Sequence, residues 1–344
     1  MRKRLRLSVW MVSGVIAALM ASLGLWETRL VVGEEKLNLG LGWVPYGRDV
    51  GFFAALDRGY FKRERIDAAL QRGFGGTKNI EVLATGGVDF HLGCDSPSLM
   101  VGRSRGLKVK LVGMFHHRSP YAIYALKGSG VSTPKDLEGR RLGASPGDAT
   151  RILFPALAKI NKIDENKVNW VLVMPPAKVP ALVTGEVDAV LAFTSNGPQY
   201  RQAAKEVGKE VVEILYKDWG VDIYSMGFAG TEKTIAEKPD LIRRILRATY
   251  EGVAWAVEHP EEAVGLFLRR HPEQTRGPVA EGWEDAMGHL LTPTVMEKGL
   301  GYITREKMTF TRDIVTALLN LPKLPIEEIY TNEFLPGIIP KVRK

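Results

Sequence analysis

Eight residues have side chains suited to holding a small molecule: Trp43, Tyr46, Asp95, Ser96, Ser145, Thr194, Ser195 and Asn196. Two aromatics supply flat apolar faces. The others supply short hydrogen-bonding groups, which is how a pocket orients a flat or polar ligand. Trp43 and Tyr46 would equally suit ordinary core packing, and Ser96 and Ser145 would suit helix caps. At a helix N-terminus a cap and a ligand contact are compatible roles. Patterns for catalysis are missing from the sequence. It has no Gly-x-Gly-x-x-Gly, no phosphate loop ending Gly-Lys-Ser/Thr, no Gly-x-Ser-x-Gly elbow and no carboxylate pair with an evident acid/base partner. The one cysteine, Cys94, cannot form an intramolecular disulfide or a Cys-rich metal site and reads as a buried thiol at the end of a strand. The six histidines show no ligand spacing; His116 and His117 are adjacent and point to different faces, and His259 and His271 each precede proline, where helices end. The reading is of a binder with no cofactor and no metal.

The elements that must position these residues alternate strand with helix. Leu37–Trp43 alternates with period two, Pro45-Tyr46-Gly47 turns, and Phe52–Phe61 reads as a helix ending at Arg58-Gly59-Tyr60. Ala68–Leu70 is a short strand, Thr77 stands as N-cap of the next helix, and Val88–Gly93 is a strand. A helix then runs from Asp95-Ser96-Pro97 to near Gly106, followed by the strand Val109–Met114. Such alternation predicts a mostly parallel sheet with helices on both faces. The pattern then repeats. In Ile80–Asp89 and Val179–Asp188, Leu, Thr, Gly, Val and Asp recur at one constant offset, and Leu41-Gly42-x-x-Pro45 is echoed by Leu142-Gly143-x-x-Pro146. Two similar α/β lobes are expected: residues 36–124 with 223–344, and residues 125–222. The crossovers would be at Tyr124-Ala125 and Asp222-Ile223-Tyr224. Carboxyl ends of strands and helix N-termini would then line a shared cleft that closes by a hinge. Helices at about 239–258 and 312–321 would pack on the first lobe.

At 344 residues, 45% hydrophobic and 25% charged, the composition is that of a globular protein with more than one lobe. The net charge of +8 includes Arg2, Lys3, Arg4, Arg6 and Lys344 at the two ends, and the remaining basic residues are interleaved with acids, which argues against nucleic-acid binding. Arg2–Arg6 followed by the uncharged stretch Leu7–Trp26 reads as an export signal or a membrane anchor over residues 1–33, and places the body outside the cytoplasm. No cysteine follows that stretch, which excludes a lipoprotein anchor.

Leu41-Gly42-Trp43-Val44-Pro45, Gly51-Phe52-Phe53-Ala54-Ala55 and Arg58-Gly59-Tyr60-Phe61 form a series that resembles the importer binding proteins for nitrate, sulfonates, taurine and thiamine-pyrimidine precursors. Leu83-x-x-Gly86-x-Val88-Asp89, Pro134-x-Asp136-Leu137-x-Gly139 and Tyr330–Leu335 are similar to later elements of that family. The resemblance covers about residues 37–336 and implies a two-lobed periplasmic-binding-protein fold. It also implies a monomer that captures a small molecule by hinge closure and passes it to the membrane permease of an ABC importer. Trp43 followed by Pro45 looks most like the branch for pyrimidine precursors or other aromatic heterocycles, with Trp43 stacking on the ring and Tyr46, Asp95, Ser96 and Asn196 as polar contacts. Tyr46 and Asp49 stand where that branch has Asn and His. The full candidate ligand set is Trp43, Pro45, Tyr46, Thr77, Asp95, Ser96, Ser145, Gly147, Thr194, Asn196 and Tyr224. An alternative is an oxyanion held at a helix N-terminus by Ser145, Gly147 and Thr150, with charge from Arg48, Arg118 or Arg151. A further alternative is a pyrimidine-synthesising enzyme on the same scaffold; Gly93-Cys94-Asp95-Ser96 stands where that enzyme carries a Cys-rich iron motif.

Overall fold

Leu37 and Leu39 point inward and Lys36 and Asn38 outward along the first strand, β1 (Glu35–Gly40), so one face of the sheet is apolar from its first strand onward. The computed structural model describes residues 33–342. The expected export segment falls outside them except for Gly33. After β1 come α1 (Val50–Asp57), β2 (Ile66–Gln71), α2 (Gly76–Ala84), β3 (Phe90–Asp95), α3 (Ser96–Ser104) and β4 (Val109–Met114). The second sheet takes β5 (Tyr121–Leu126), β6 (Arg141–Ala144), α4 (Ala149–Ile160), β7 (Asn169–Leu172), α5 (Lys178–Val183), β8 (Ala189–Phe193), α6 (Gly197–Glu206) and β9 (Val211–Leu215). The chain returns through β10 (Met226–Thr231) and ends in helices, of which α7 (Pro239–Glu258), α8 (Pro260–Arg270), α9 (Arg276–Leu290) and α10 (Arg305–Leu318) are the longest.

The two sheets share one topology, β2-β1-β3-β10-β4 and β7-β6-β8-β5-β9. In each, one strand runs against its neighbours: β10 is antiparallel to β3 and β4, and β5 to β8 and β9. Both reversed strands are the first ones laid down after the chain crosses from the other lobe, so they enter their sheet from the opposite direction. The sequence echo has a structural counterpart. Gly86 and Gly185 end α2 and α5 with φ of 78° and 76°. The aspartate three residues on accepts the backbone N–H of the lobe's first parallel strand: Asp89 from Asn38 at 2.7 Å and Asp188 from Arg141 at 2.8 Å.

The first crossover lies earlier in the chain than Tyr124-Ala125. Those residues are inside β5, paired along its length with β8 and β9, so the chain has already entered the second sheet at Tyr121. The crossing segments on either side of the hinge are tied to each other. Ser119 N–H donates to Asp222 at 3.0 Å, and Ser225 N–H donates to the His116 carbonyl at 3.2 Å. β1 stops at Gly40, short of the expected Trp43, and α10 begins at Arg305 because Thr304 caps it. α7 spans the expected Pro239–Glu258.

An aromatic cluster fastens the helical tail to the first sheet. Phe52 of α1 lies 5.1 Å from Phe115 and 5.6 Å from Phe228, and Tyr250 of α7 lies 5.0 Å from Phe228. Each fully buried phenylalanine of this kind contributes about 1.5–3 kcal/mol. A second core is continuous through both lobes, joining Leu99 and Met100 of α3 with Leu153 and Leu157 of α4. The lobes are therefore closed on one another. Gly76 meets Gly147 across the cleft so tightly that a Cβ on Gly76 would lie 1.4 Å from the Gly147 carbonyl oxygen. Among the described residues no helix is long and apolar enough to cross a membrane.

Candidate functional site: a closed aromatic cavity between the lobes

The loop that follows β1 carries the first wall. Asn79 holds it in place. Its Oδ1 accepts the N–H groups of Phe74 and Gly75 at 2.8 and 3.2 Å, and its Nδ2 donates to the Gly42 carbonyl at 2.8 Å. The Trp43 ring packs against the Gly75 backbone, where a Cβ would be 2.3 Å from the ring. Behind it is a cavity of about 330 Å³, within the usual range for a small-molecule site. The first lobe contributes Trp43, Pro45, Tyr46, Arg48 and Asp95. The second contributes Asp148, Lys178, Phe193, Asn196 and Tyr200, and the loop after α8 adds His271, Glu273 and Gln274.

The electrostatics are set by burial. Tyr46 receives a hydrogen bond from Ser195 at 3.4 Å, and burial pushes its phenol up to about 12. The Arg48 guanidinium lies 4.4 Å over the Tyr46 ring and 5.3 Å from that of Phe193. Its Nε is 3.5 Å from Asp49 Oδ1, yet neither atom has a hydrogen-bond partner. Burial raises the Asp49 carboxyl, and the Arg48 charge pulls it back. Asp95 caps α3 by accepting the Ser98 N–H at 2.9 Å, and burial raises its carboxyl to about 6 against the pull of the Ser98 bonds. On the facing lobe, buried Lys178 is ion-paired with Asp148 and donates to the Leu191 carbonyl at 2.8 Å. Asp148 in turn caps α4, accepting from Thr150 N and Oγ1.

Five of the eleven expected contacts therefore meet in the cavity: Trp43, Pro45, Tyr46, Asp95 and Asn196. Thr77, Ser145 and Gly147 lie on the other side of Trp43, along an outer groove with Phe74 and Met174. Thr77 is the second residue of α2, not its N-cap, because Gly75 takes that place. Ser145 caps nothing and donates to the Val173 carbonyl at 2.8 Å. Ser96 faces the hinge and donates to the Ser225 carbonyl at 3.0 Å. Thr194 turns away to Asp285 at 2.7 Å and His289 at 2.8 Å on α9. Tyr224 is bonded to Thr304 and Thr311 behind the hinge. The helix N-terminus expected to hold an oxyanion is occupied by the chain's own Asp148 carboxylate, and Arg151 stacks outward on Trp170 at 3.5 Å. Sequence reasoning missed Asp148, Lys178, Phe193, Tyr200 and the 271–274 loop. Only the His-Pro helix end at His271-Pro272 signalled that a loop stood there. Among the described residues no group of three or more His, Cys, Asp or Glu side chains could hold a metal ion.

A family profile described as "NMT1/THI5 like" matches residues 48–263, more than half of the chain and most of this cavity. The chain belongs to the NMT1/THI5-like family. It is 25% identical over 312 residues to the riboflavin-binding protein RibY of Chloroflexus aurantiacus, covering 88% of this chain and 87% of that one. The 4-amino-5-hydroxymethyl-2-methylpyrimidine phosphate synthase of Legionella pneumophila is 24% identical, covering 88% and 93%. The formylaminopyrimidine-binding protein of Halalkalibacterium halodurans is 23% identical, covering 75% and 77%. Among solved structures, the periplasmic aliphatic sulphonate binding protein SsuA of Escherichia coli superposes with a TM-score of 0.67 at 16% identity, covering 87% and 99%. The fold is that of the periplasmic binding proteins. The proteins this chain is similar to thus include some named as binders and some named as synthases.

Proposed function

We propose that this chain is the extracytoplasmic solute-binding component of an ABC importer, closing its two lobes around a flat heterocycle of the pyrimidine-precursor or flavin kind. The observation that carries the reading is the closed interlobe cavity, walled by Trp43 and Tyr46 from one lobe and by Phe193 and Tyr200 from the other. Aromatic faces on both sides suit a planar ring. The two relatives named for what they bind are named for riboflavin and formylaminopyrimidine, both ring systems of this kind. On this reading residues 1–33 export the chain, a membrane permease receives the ligand, and the protein acts as a monomer.

Thermal unfolding of the purified protein against riboflavin, aminopyrimidines, taurine and nitrate tests it. A ligand at a hundred times its dissociation constant stabilises the folded state by about 2.7 kcal/mol. The expected outcome is a rise with a heterocycle that Trp43→Ala abolishes; no rise with any member of the panel overturns the reading.

A pyrimidine-synthesising enzyme is the second reading, favoured by the synthase names and by an Asp95 carboxyl at about 6, a value suited to a general base. Lys178 argues the other way for amine chemistry, since its amine is already engaged by Asp148 and the Leu191 carbonyl. Turnover of a candidate precursor by the purified protein would decide for the enzyme.

A further inference from the structure

Of the charged groups facing the cavity, two differ from the rest. Lys178 and Asp148 neutralise one another, and His271 Nδ1 lies 3.3 Å from Glu273. Asp95 has no cationic partner among the described residues, and its Oδ2 has no protein hydrogen bond, its Oδ1 being taken by Ser98. Arg48 touches a carboxylate only at Asp49, through an Nε that makes no hydrogen bond. Both side chains are more than nine-tenths buried, at 5% and 3% exposure, and both line the cavity. Both belong to the first lobe's wall of it. A Cβ on Gly42 would lie 2.8 Å from Arg48 Nη2 and 3.3 Å from the Gly93 carbonyl oxygen, so the guanidinium stands beside β3, the strand that ends at Asp95.

Resting on the binding-protein reading, we infer that Asp95 and Arg48 together read a donor–acceptor edge of the ligand: Asp95 accepts a ring N–H or exocyclic amine, and Arg48 donates to a neighbouring carbonyl oxygen or ring nitrogen. The ligand class is a neutral or proton-donating heterocycle with adjacent donor and acceptor atoms, the edge of an aminopyrimidine or of a flavin's ureide ring. An oxyanion is disfavoured relative to such a heterocycle, because it could pair with Arg48 but would leave the buried Asp95 carboxylate facing a second negative charge. Binding also becomes pH-sensitive in a defined direction. The other titratable groups facing Asp95 are Asp148, Cys94 and Tyr121; Asp148 is ion-paired, and burial raises both the thiol and the phenol. The free site gains a proton as the pH falls through about 6, and the protonated carboxyl offers a donor where the ligand also offers one.

The test is calorimetric titration of the full-length protein with riboflavin, 4-amino-5-hydroxymethyl-2-methylpyrimidine, taurine and nitrate, in the wild type and in Asp95→Asn. Asparagine keeps the helix cap and removes the carboxylate, so the unliganded melting temperature serves as the control for folding. The expected result is binding of riboflavin or the aminopyrimidine, weakened at least tenfold by Asp95→Asn. Riboflavin does not titrate near pH 6, so its affinity, if it is the ligand, should be flat above about pH 7 and fall by up to about tenfold per unit below about pH 6. The two heterocycles distinguish the two sources of the edge. Tight binding of taurine or nitrate, lost in Trp43→Ala and strengthened by Asp95→Asn, would overturn the inference while leaving the binding-protein reading intact. Failure of all four probes would overturn that reading, and this inference with it.

Discussion

Asn79 is spent entirely on backbone. It joins the loop after β1 to the loop before α2 with three hydrogen bonds, and these fix the Trp43 ring as a wall of the cavity. Asn79→Ala removes all three bonds; the Phe74 N–H loses its partner, while the Gly75 N–H and the Gly42 carbonyl keep each other at 3.1 Å, and a group left unmet costs about 1–3 kcal/mol. The expected outcome is a protein destabilised by at least 1 kcal/mol in denaturant unfolding, whose heterocycle affinity falls further than its stability alone explains, because Trp43 is no longer held; unchanged affinity would show that Trp43 positions itself. The way Asn79 acts shows why the site was only partly legible in the sequence. Trp43, Pro45, Tyr46 and Asp95 sit within a few residues of strand ends, where local pattern points to the cleft. Ser96, Thr194 and Tyr224 sit at equally good positions, but Ser96 and Tyr224 point to the hinge and Thr194 to α9, and nothing local states which way a side chain turns at a strand end. Lys178, Phe193 and Tyr200 reach the cavity only because the lobes close, a juxtaposition with no sequence spacing to reveal it.

The short turn after β8 is where closure is fastened. Phe193 and Asn196 face the cavity, while Thr194 between them binds Asp285 and His289, and α9 is itself anchored in the first lobe through buried Trp283. Ligand contact and lobe contact are thus made by adjacent residues of one element. Thr194→Val keeps the shape and removes the latch. The loss of about 1.4 kcal/mol for such a pair of bonds falls on the closed form alone and appears as about a tenfold weaker ligand affinity. Titration calorimetry with small-angle scattering checks this: the variant should bind more weakly and be more open without ligand, and an unaltered affinity would remove the latch from the closing mechanism. Elements of this kind were readable in the sequence where period and punctuation agreed. α7 runs between Pro239 and His259-Pro260 as expected, and the repeated Leu-x-Thr-Gly-x-Val-Asp marks equivalent turns in the two sheets. The reversed strand β5 was not readable, because Tyr121–Leu126 is uniformly buried and an unbroken apolar run carries no direction.

Across the whole molecule, burial of histidine makes stability depend on pH. His91 and His117 are pushed down to about 3 by burial, with the Lys307 charge adding to the effect at His117, and His116, beside His289 and Arg48, is pushed well below its ordinary value. Each stays neutral in the fold but protonates in the unfolded chain as the pH falls through about 6.5, so their contribution is complete above that pH and is lost progressively towards pH 3. Asp95, raised to about 6, and Asp49, also raised, act in the opposite sense. Folded, they take up protons before the unfolded chain does, and so return part of the loss between about pH 6 and pH 4. The histidines outweigh the carboxyls, since His91 and His117 are displaced further than Asp95, and stability declines between pH 7 and pH 5. Thermal denaturation of the unliganded protein should therefore show a melting temperature falling by several degrees over that interval. His91→Gln should make the decline shallower while lowering stability at pH 7, since His91 accepts the Gly93 N–H at 3.1 Å and fills the space beside Gly40. A melting temperature that rises towards pH 5 would mean that the carboxyls, not the histidines, dominate the proton balance of this fold.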